Sequence, residues 1–130
     1  MPAQIILVED DPGLRYAFQK TLEAAGHTVH PFADYGGVTE KLDRDEPVHL
    51  MLVDIVLPAD TPHGIALAAM ARRRRPNLPV IYLTGHSDYL RHVPDGAHVL
   101  VKPVTEARLL AAVASVLAQT NPDAKPTRAR

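Results

Sequence analysis

The stretch HLMLVDIVLP, residues 49–58, is apolar on both sides of a single carboxylate, Asp54. An unpaired charge in a dry core is costly, so such a group stays at a wet edge or finds a partner. The run up to Asp54 (49–54) reads as a strand, and the acid marks the point where the chain leaves the core. A second run, QIILV (4–8), is rich in branched residues and reads as a buried strand. It too ends in acids, Glu9, Asp10 and Asp11.

Working outward, amphipathic segments alternate with further short apolar runs. Residues 11–27 place Leu14, Ala17, Phe18, Thr21, Leu22 and Ala25 on one helical face, with Asp11 before Pro12 as a cap and Gly26 as a stop. TVHPF (28–32) is a short strand whose Pro31 suits the edge of a sheet. Segment 34–45 is a weak helix, because Gly36 and Gly37 fall in its first turn. An Ala-rich helix spans about 65–75, PVIYLT (79–84) is a strand, and residues 85–96 hold only a short helical stretch. AHVLV (97–101) is the fifth strand. A last helix, about 105–119, aligns Leu109, Ala112, Val113, Val116 and Leu117. The tail TNPDAKPTRAR, from Thr120, shows no apolar periodicity and is expected to be disordered.

Five strands alternating with helical connections predict an α/β fold, a doubly wound parallel sheet covered on both faces. In such sheets the ligand crevice lies beyond the carboxyl ends of the strands. Glu9, Asp10 and Asp11 follow the first strand, Asp54 closes the third, Thr84 the fourth and Lys102 the fifth. All are expected at one end of the sheet.

Bulk composition narrows the function. At 130 residues the chain suits one domain. It has no cysteine, which excludes disulfides and thiolate chemistry and fits a cytoplasmic setting. A formal net charge of -1 gives no general attraction to nucleic acid or anionic membrane. No apolar run approaches the roughly 20 residues that span a bilayer. The N-terminus MPAQIILVEDD has neither a basic leader nor a cleavage site, so no signal peptide is expected.

Several carboxylates around one point repel each other and call for a cation. Hard oxygen donors without cysteine or a convincing histidine set favour magnesium. A lysine and a threonine hydroxyl beside such a metal suit phosphoryl oxygens. An aspartate can itself be the nucleophile, forming an aspartyl phosphate. The residues therefore suggest phosphoryl transfer to Asp54. Taken alone, Asp54 could equally be a strand-end acid that caps the next turn.

The elements ILVEDD, MLVDIVLP, YLTG and LVKP, in this order, resemble the receiver domain of two-component response regulators, over about residues 4–119. The resemblance implies the CheY-like, flavodoxin-like sheet order 2-1-3-4-5, an order that general fold rules already illustrate with this family. It implies a receiver domain over 1–119 with a tail over 120–130 and no output domain. Asp54 then matches the phosphoacceptor. Glu9 and Asp10 match the acidic pair that holds Mg2+ together with Asp54 and the Val56 carbonyl. Lys102, with Pro103 after it in a cis peptide, matches the lysine on the phosphoryl group, and Thr84 the hydroxyl that moves toward it. The implied partners are a sensor histidine kinase or a histidine phosphotransfer protein, and an unidentified downstream protein. Neither nucleic acid nor membrane is among them, and a homodimer is open.

Three departures from the family pattern matter. Val99 stands where the family usually carries an aromatic switch residue. Thr84 to Lys102 is shorter than usual by roughly one helical turn, so the fourth helix must be short or partly unwound. The loop PADTPHG (58–64) is about two residues longer than the common form.

Other motifs read more plainly. ARRRRP (71–76) is expected to be a solvated helix end complementing the helix dipole, since no recognition helix or aromatic platform accompanies it. The seven histidines show no metal-ligand spacing. His86, two residues after Thr84, is placed to influence attack of water on a phosphoaspartate. Two competing functions remain on the sequence. One is an interaction module independent of phosphorylation, favoured by Val99 and the short fourth segment. The other is an aspartate-nucleophile phosphatase, disfavoured because Val56 stands where its general acid would be.

Overall fold

A computed structural model describes residues 2–56, 64–85 and 87–119. The expectations for His86, for most of the 58–64 loop and for the tail from Thr120 lie outside the described residues. Strand β1 (Gln4–Val8) leads into helix α1 (Pro12–Ala24), then β2 (Thr28–Phe32), α2 (Val38–Asp43), β3 (Leu50–Asp54), α3 (Gly64–Arg74) and β4 (Val80–Thr84). A 3₁₀ segment (Ser87–His92), β5 (His98–Val101) and α4 (Glu106–Gln119) follow. All strand pairs are parallel and the order is β2-β1-β3-β4-β5.

Strand alternation sorts the core into two clusters. Ile5, Leu7, Leu50, Leu52, Ile81, Leu83 and Leu100 face Phe18 and Leu22 of α1 and Leu109, Val113 and Val116 of α4. Ile6, Val8, Met51, Val53, Val80 and Tyr82 face Val38 and Leu42 of α2 and Leu67, Ala68 and Ala71 of α3. Each fully buried aliphatic side chain contributes roughly 1.5–3 kcal/mol, so this two-sided burial fixes both register and face. The central strand β3 is buried at all five positions, as its unbroken apolar run requires.

Local signals behave as their chemistry dictates. The Asp11 side chain accepts from the N–H groups of Gly13 and Leu14 at 2.8 and 3.2 Å, capping α1. Gly26, at φ 100°, turns the chain out of that helix in a conformation that penalises a Cβ. Pro31 sits on the edge strand, where its missing N–H is tolerated. Helix α2 starts only after Gly36 and Gly37 and runs six residues, shorter than the 34–45 expected. The fourth connection differs in kind: its helical part is 3₁₀, not a shortened α-helix. Eighteen positions from Thr84 to Lys102 must also include β5, and Pro94 and Gly96 break the segment before it. On this side Val93, Ala97 and Val99 pack only partly buried against the second cluster.

The arginine run departs from the solvated face expected of it. Arg75 donates to the carbonyls of Leu42, Arg44 and Glu46 at 3.0, 2.8 and 2.9 Å, and Arg72 to that of Leu78 at 3.2 Å. Arg74 pairs with Asp43 at 2.9 Å. Carbonyls left open at the end of α2 attract the Arg75 guanidinium, so Arg74 and Arg75 bind the end of α3 to that of α2, while Arg73 is exposed.

Candidate functional site

Parallel strands share one direction, so their polar C-terminal residues collect at one end of the sheet. Val8 of β1 pairs in register with Val53 of β3, and Asp54 with Leu83 of β4, which brings Glu9 and Thr84 to either side of Asp54. Thr84 in turn is in register with Val101, directly before Lys102. The Lys102 N–H donates to the Thr84 carbonyl at 2.7 Å, and the Lys102–Pro103 peptide is cis, as expected.

Oxygens of Glu9, Asp10 and Asp54 lie within 4.8 Å of one another. Glu9 is 0% exposed and Asp54 4%, whereas Asp10 is on the surface. Lys102 Nζ stands between the two buried acids, 2.7 Å from Asp54 Oδ2 and 2.9 Å from Glu9 Oε1. The contact to Asp54 is a hydrogen bond. That to Glu9 is a charge contact, for Glu9 Oε1 is buried without a well-directed hydrogen bond. Asp54 Oδ1 accepts from the Val56 N–H at 3.0 Å, and Glu9 Oε2 from the Asp11 N–H at 3.1 Å. Thr84 is fully buried at the end of β4, the strand next to β3.

Burial pushes the Glu9 carboxyl up to about 7; Lys102 and the Asp11 N–H pull it down, and the Asp54 charge adds to the rise. Burial alone would lower the Lys102 ammonium, but its bond to Asp54 and its close charge contacts with Glu9 and Asp54 outweigh that and hold it above the ordinary lysine range. One cation thus faces two buried acids, with Asp10 at the surface beside them. The donor set is made of hard carboxylate oxygens, one of them buried without a directed partner, which fits a hard divalent cation such as Mg2+.

The structure therefore brings together Glu9, Asp10, Asp54, Thr84 and Lys102, with Val56 beside Asp54 at the strand exit. Asp11 is separate, occupied as the α1 cap. Two residues escaped the sequence reading. Arg15 Nη1 donates to the Glu9 carbonyl at 2.8 Å and lies 3.4 Å from that of Asp10. Its signal was faint: a cation on the first helical turn after an acidic loop. Gly64 donates its N–H to the Ile55 carbonyl at 2.9 Å, and a Cβ there would fall on the carbonyl oxygen of Asp54. A glycine opening a helix carries no such message in sequence.

Comparison with known proteins agrees with this geometry. Residues 5–114 match the family model of the response regulator receiver domain. The chain is similar to the response regulator receiver protein CpdR of Brucella abortus, 36% identical over 104 residues that cover 77% of this chain and 84% of CpdR. It is also 36% identical over 110 residues to the C4-dicarboxylate transport transcriptional regulatory protein DctD of Rhizobium meliloti; these are 82% of this chain and only 23% of that regulator. A receiver protein from Sinorhizobium medicae superposes with a TM-score of 0.80 at 28% identity, covering 90% of this chain and 95% of the other. The BeF3-activated DrrB receiver domain does so at 0.76 and 27%, covering 91% and 99%. Among the described residues no helix is long and apolar enough to cross a membrane.

Proposed function

We propose, since this chain belongs to the response regulator receiver family, that Asp54 accepts a phosphoryl group from a histidine kinase or a histidine phosphotransfer protein. Receivers are phosphoacceptor signalling modules rather than turnover enzymes, and histidine kinases phosphorylate them. The observation that carries the reading is the Lys102 ammonium held between two buried acids at the mouth of the sheet.

The chemistry follows from that arrangement. A carboxylate oxygen of Asp54 forms the new P–O bond as the P–N bond to the donor imidazole breaks, and the ring leaves with the electron pair and takes up a proton. Lys102 already donates to Asp54, so it is in reach of a phosphoryl oxygen there. Thr84, buried at the end of the neighbouring strand, would supply its hydroxyl as a second donor. Mg2+, held by Glu9, Asp10, Asp54 and the Val56 carbonyl, would neutralise charge as the phosphoryl group arrives. Val56 has no acidic side chain, so the site lacks a general acid for turnover on outside substrates, which suits a switch.

We read the receiver as passing its signal on by contact with another protein, in the cytoplasm, as its family membership suggests. The longer DctD is matched over only 23% of its length, so its transcriptional role is not carried over to this chain. A second reading, an interaction module independent of phosphorylation, draws on Val99 and the 3₁₀ fourth connection. Beryllofluoride with Mg2+ separates the two. The phosphoacceptor reading expects large amide shift changes around Asp54, Thr84 and Lys102; a spectrum unchanged by saturating reagent would favour the second.

A further inference from the structure

Of the three clustered carboxylates, two are held by their own side-chain contacts and one is not. Glu9 is tied through Lys102 and the Asp11 N–H, and Asp54 through Lys102 and the Val56 N–H. Among the described residues the Asp10 side chain makes no hydrogen bond or ion pair, and it is exposed. Its carboxylate is therefore anchored only through the backbone of residues 9–11, which sets where the side chain starts.

That backbone is pinned at three points. The Glu9 N–H donates to the Phe32 carbonyl of β2 at 3.0 Å, and the Asp11 N–H to the Glu9 carboxylate at 3.1 Å. The third pin is Arg15, whose Nη1 reaches the Glu9 carbonyl at 2.8 Å and approaches that of Asp10 at 3.4 Å. Arg15 is itself anchored one turn into α1, its N–H bonded to the Asp11 carbonyl at 2.8 Å. Its Nη1 is directed at main-chain carbonyls, and among the described residues the guanidinium forms no ion pair.

We propose that Arg15 is a positioning residue for the metal site: by fixing the two carbonyls that precede and belong to Asp10, it aims the Asp10 carboxylate into the cluster. The inference rests on the Mg2+ reading of that cluster. Two opposite effects can be weighed against each other. A guanidinium near a cation site repels the cation through space, weakly across solvent. Groups that orient a ligand from behind typically change metal affinity by roughly 10–100-fold. The positioning effect should win, so loss of Arg15 should weaken binding even though it removes a positive charge.

The test is a cycle on the full chain with Mg2+ as the titrant, followed by amide shifts and by calorimetry. Arg15→Met should weaken Mg2+ binding roughly tenfold, and Arg15→Lys, which can still reach one carbonyl, by less. In an Asp10→Asn background the same Arg15→Met change should matter less than about twofold, because the group it positions is gone. A merely structural role would weaken binding equally in both backgrounds, and that result overturns the inference. Equal or tighter binding by Arg15→Met overturns it as well, provided wild type binds. Absence of Mg2+ binding by wild type would instead bring down the metal-site reading, and this inference with it. Thermal midpoints in chelator, unchanged within a few degrees, confirm that the variants are folded.

Discussion

At the scale of single residues, the site is a balance of charges in which Glu9 is the strained member. Its carboxyl is raised from an ordinary 4.5 to about 7, so without metal the folded state holds a proton there that the unfolded chain has already released. A raised carboxyl makes its full contribution to stability below about 4.5 and loses it as pH rises through about 7. Glu9→Gln removes that loss. In chelator, urea unfolding should show the variant gaining on wild type by roughly 1–3 kcal/mol between pH 4.5 and 8. An equal gap at both ends would show that Glu9 is not held protonated. Residue type and order made Glu9, Asp10, Asp54, Thr84 and Lys102 legible before any coordinates, because each ends an apolar run. Arg15 was not legible, since its role depends on which carbonyls a flexible side chain meets.

At the scale of elements, the N-terminus of α3 packs directly on the carbonyl of Asp54. A Cβ at Gly64 would meet that oxygen and come within 2.8 Å of the Ile55 Cα, and neither backbone atom can step aside alone. Gly64→Ala should therefore cost roughly 1–3 kcal/mol and shift the Asp54 and Ile55 amides. Gly85→Ala, where a Cβ meets nothing within 4 Å, should leave stability within about 0.5 kcal/mol. Equal melting of the two variants would refute this contact. Strands β1, β3 and β4 were legible because the inner strands of a parallel sheet demand short runs with both faces apolar. The fourth connection was legible as short but not as 3₁₀, since a few residues between two breakers can close either kind of turn. The arginine run misled for another reason: it reads as a solvated face until the open carbonyls after α2 are known.

At the scale of the whole molecule, the two ends of the sheet are built from different chemistry. The C-terminal end carries the acids, and the opposite end is fastened by histidines. His27 Nδ1 accepts from the Ala3 N–H at 3.0 Å, His49 Nδ1 from the Gln4 N–H at 2.9 Å, and His30 Nε2 lies 2.9 Å from Gln4 Oε1. Burial first, then the amino terminus for His27 and Lys41 for His30 against an opposing Glu46, lowers the first and third; burial alone lowers His49. Each is a base with a depressed value, so its stabilisation is complete above about 6.5 and is lost as pH falls and the unfolded chain takes up protons first. Thermal melts of wild type against His27→Asn with His49→Asn should converge as pH drops from 7 to 5; a constant difference would show that these rings do not titrate with unfolding. The sheet order was legible through the family resemblance, since parallel pairing and right-handed crossovers narrow the topologies to a few without choosing among them. What the whole arrangement claims is that Asp54 is the group phosphorylated. The direct measurement is intact mass after incubation with acetyl phosphate and Mg2+. Wild type should gain the mass of one phosphoryl group, lost again with hydroxylamine or alkali, while Asp54→Asn gains none. A wild-type chain that gains nothing, or an Asp54→Asn chain that gains as much, would contradict the account.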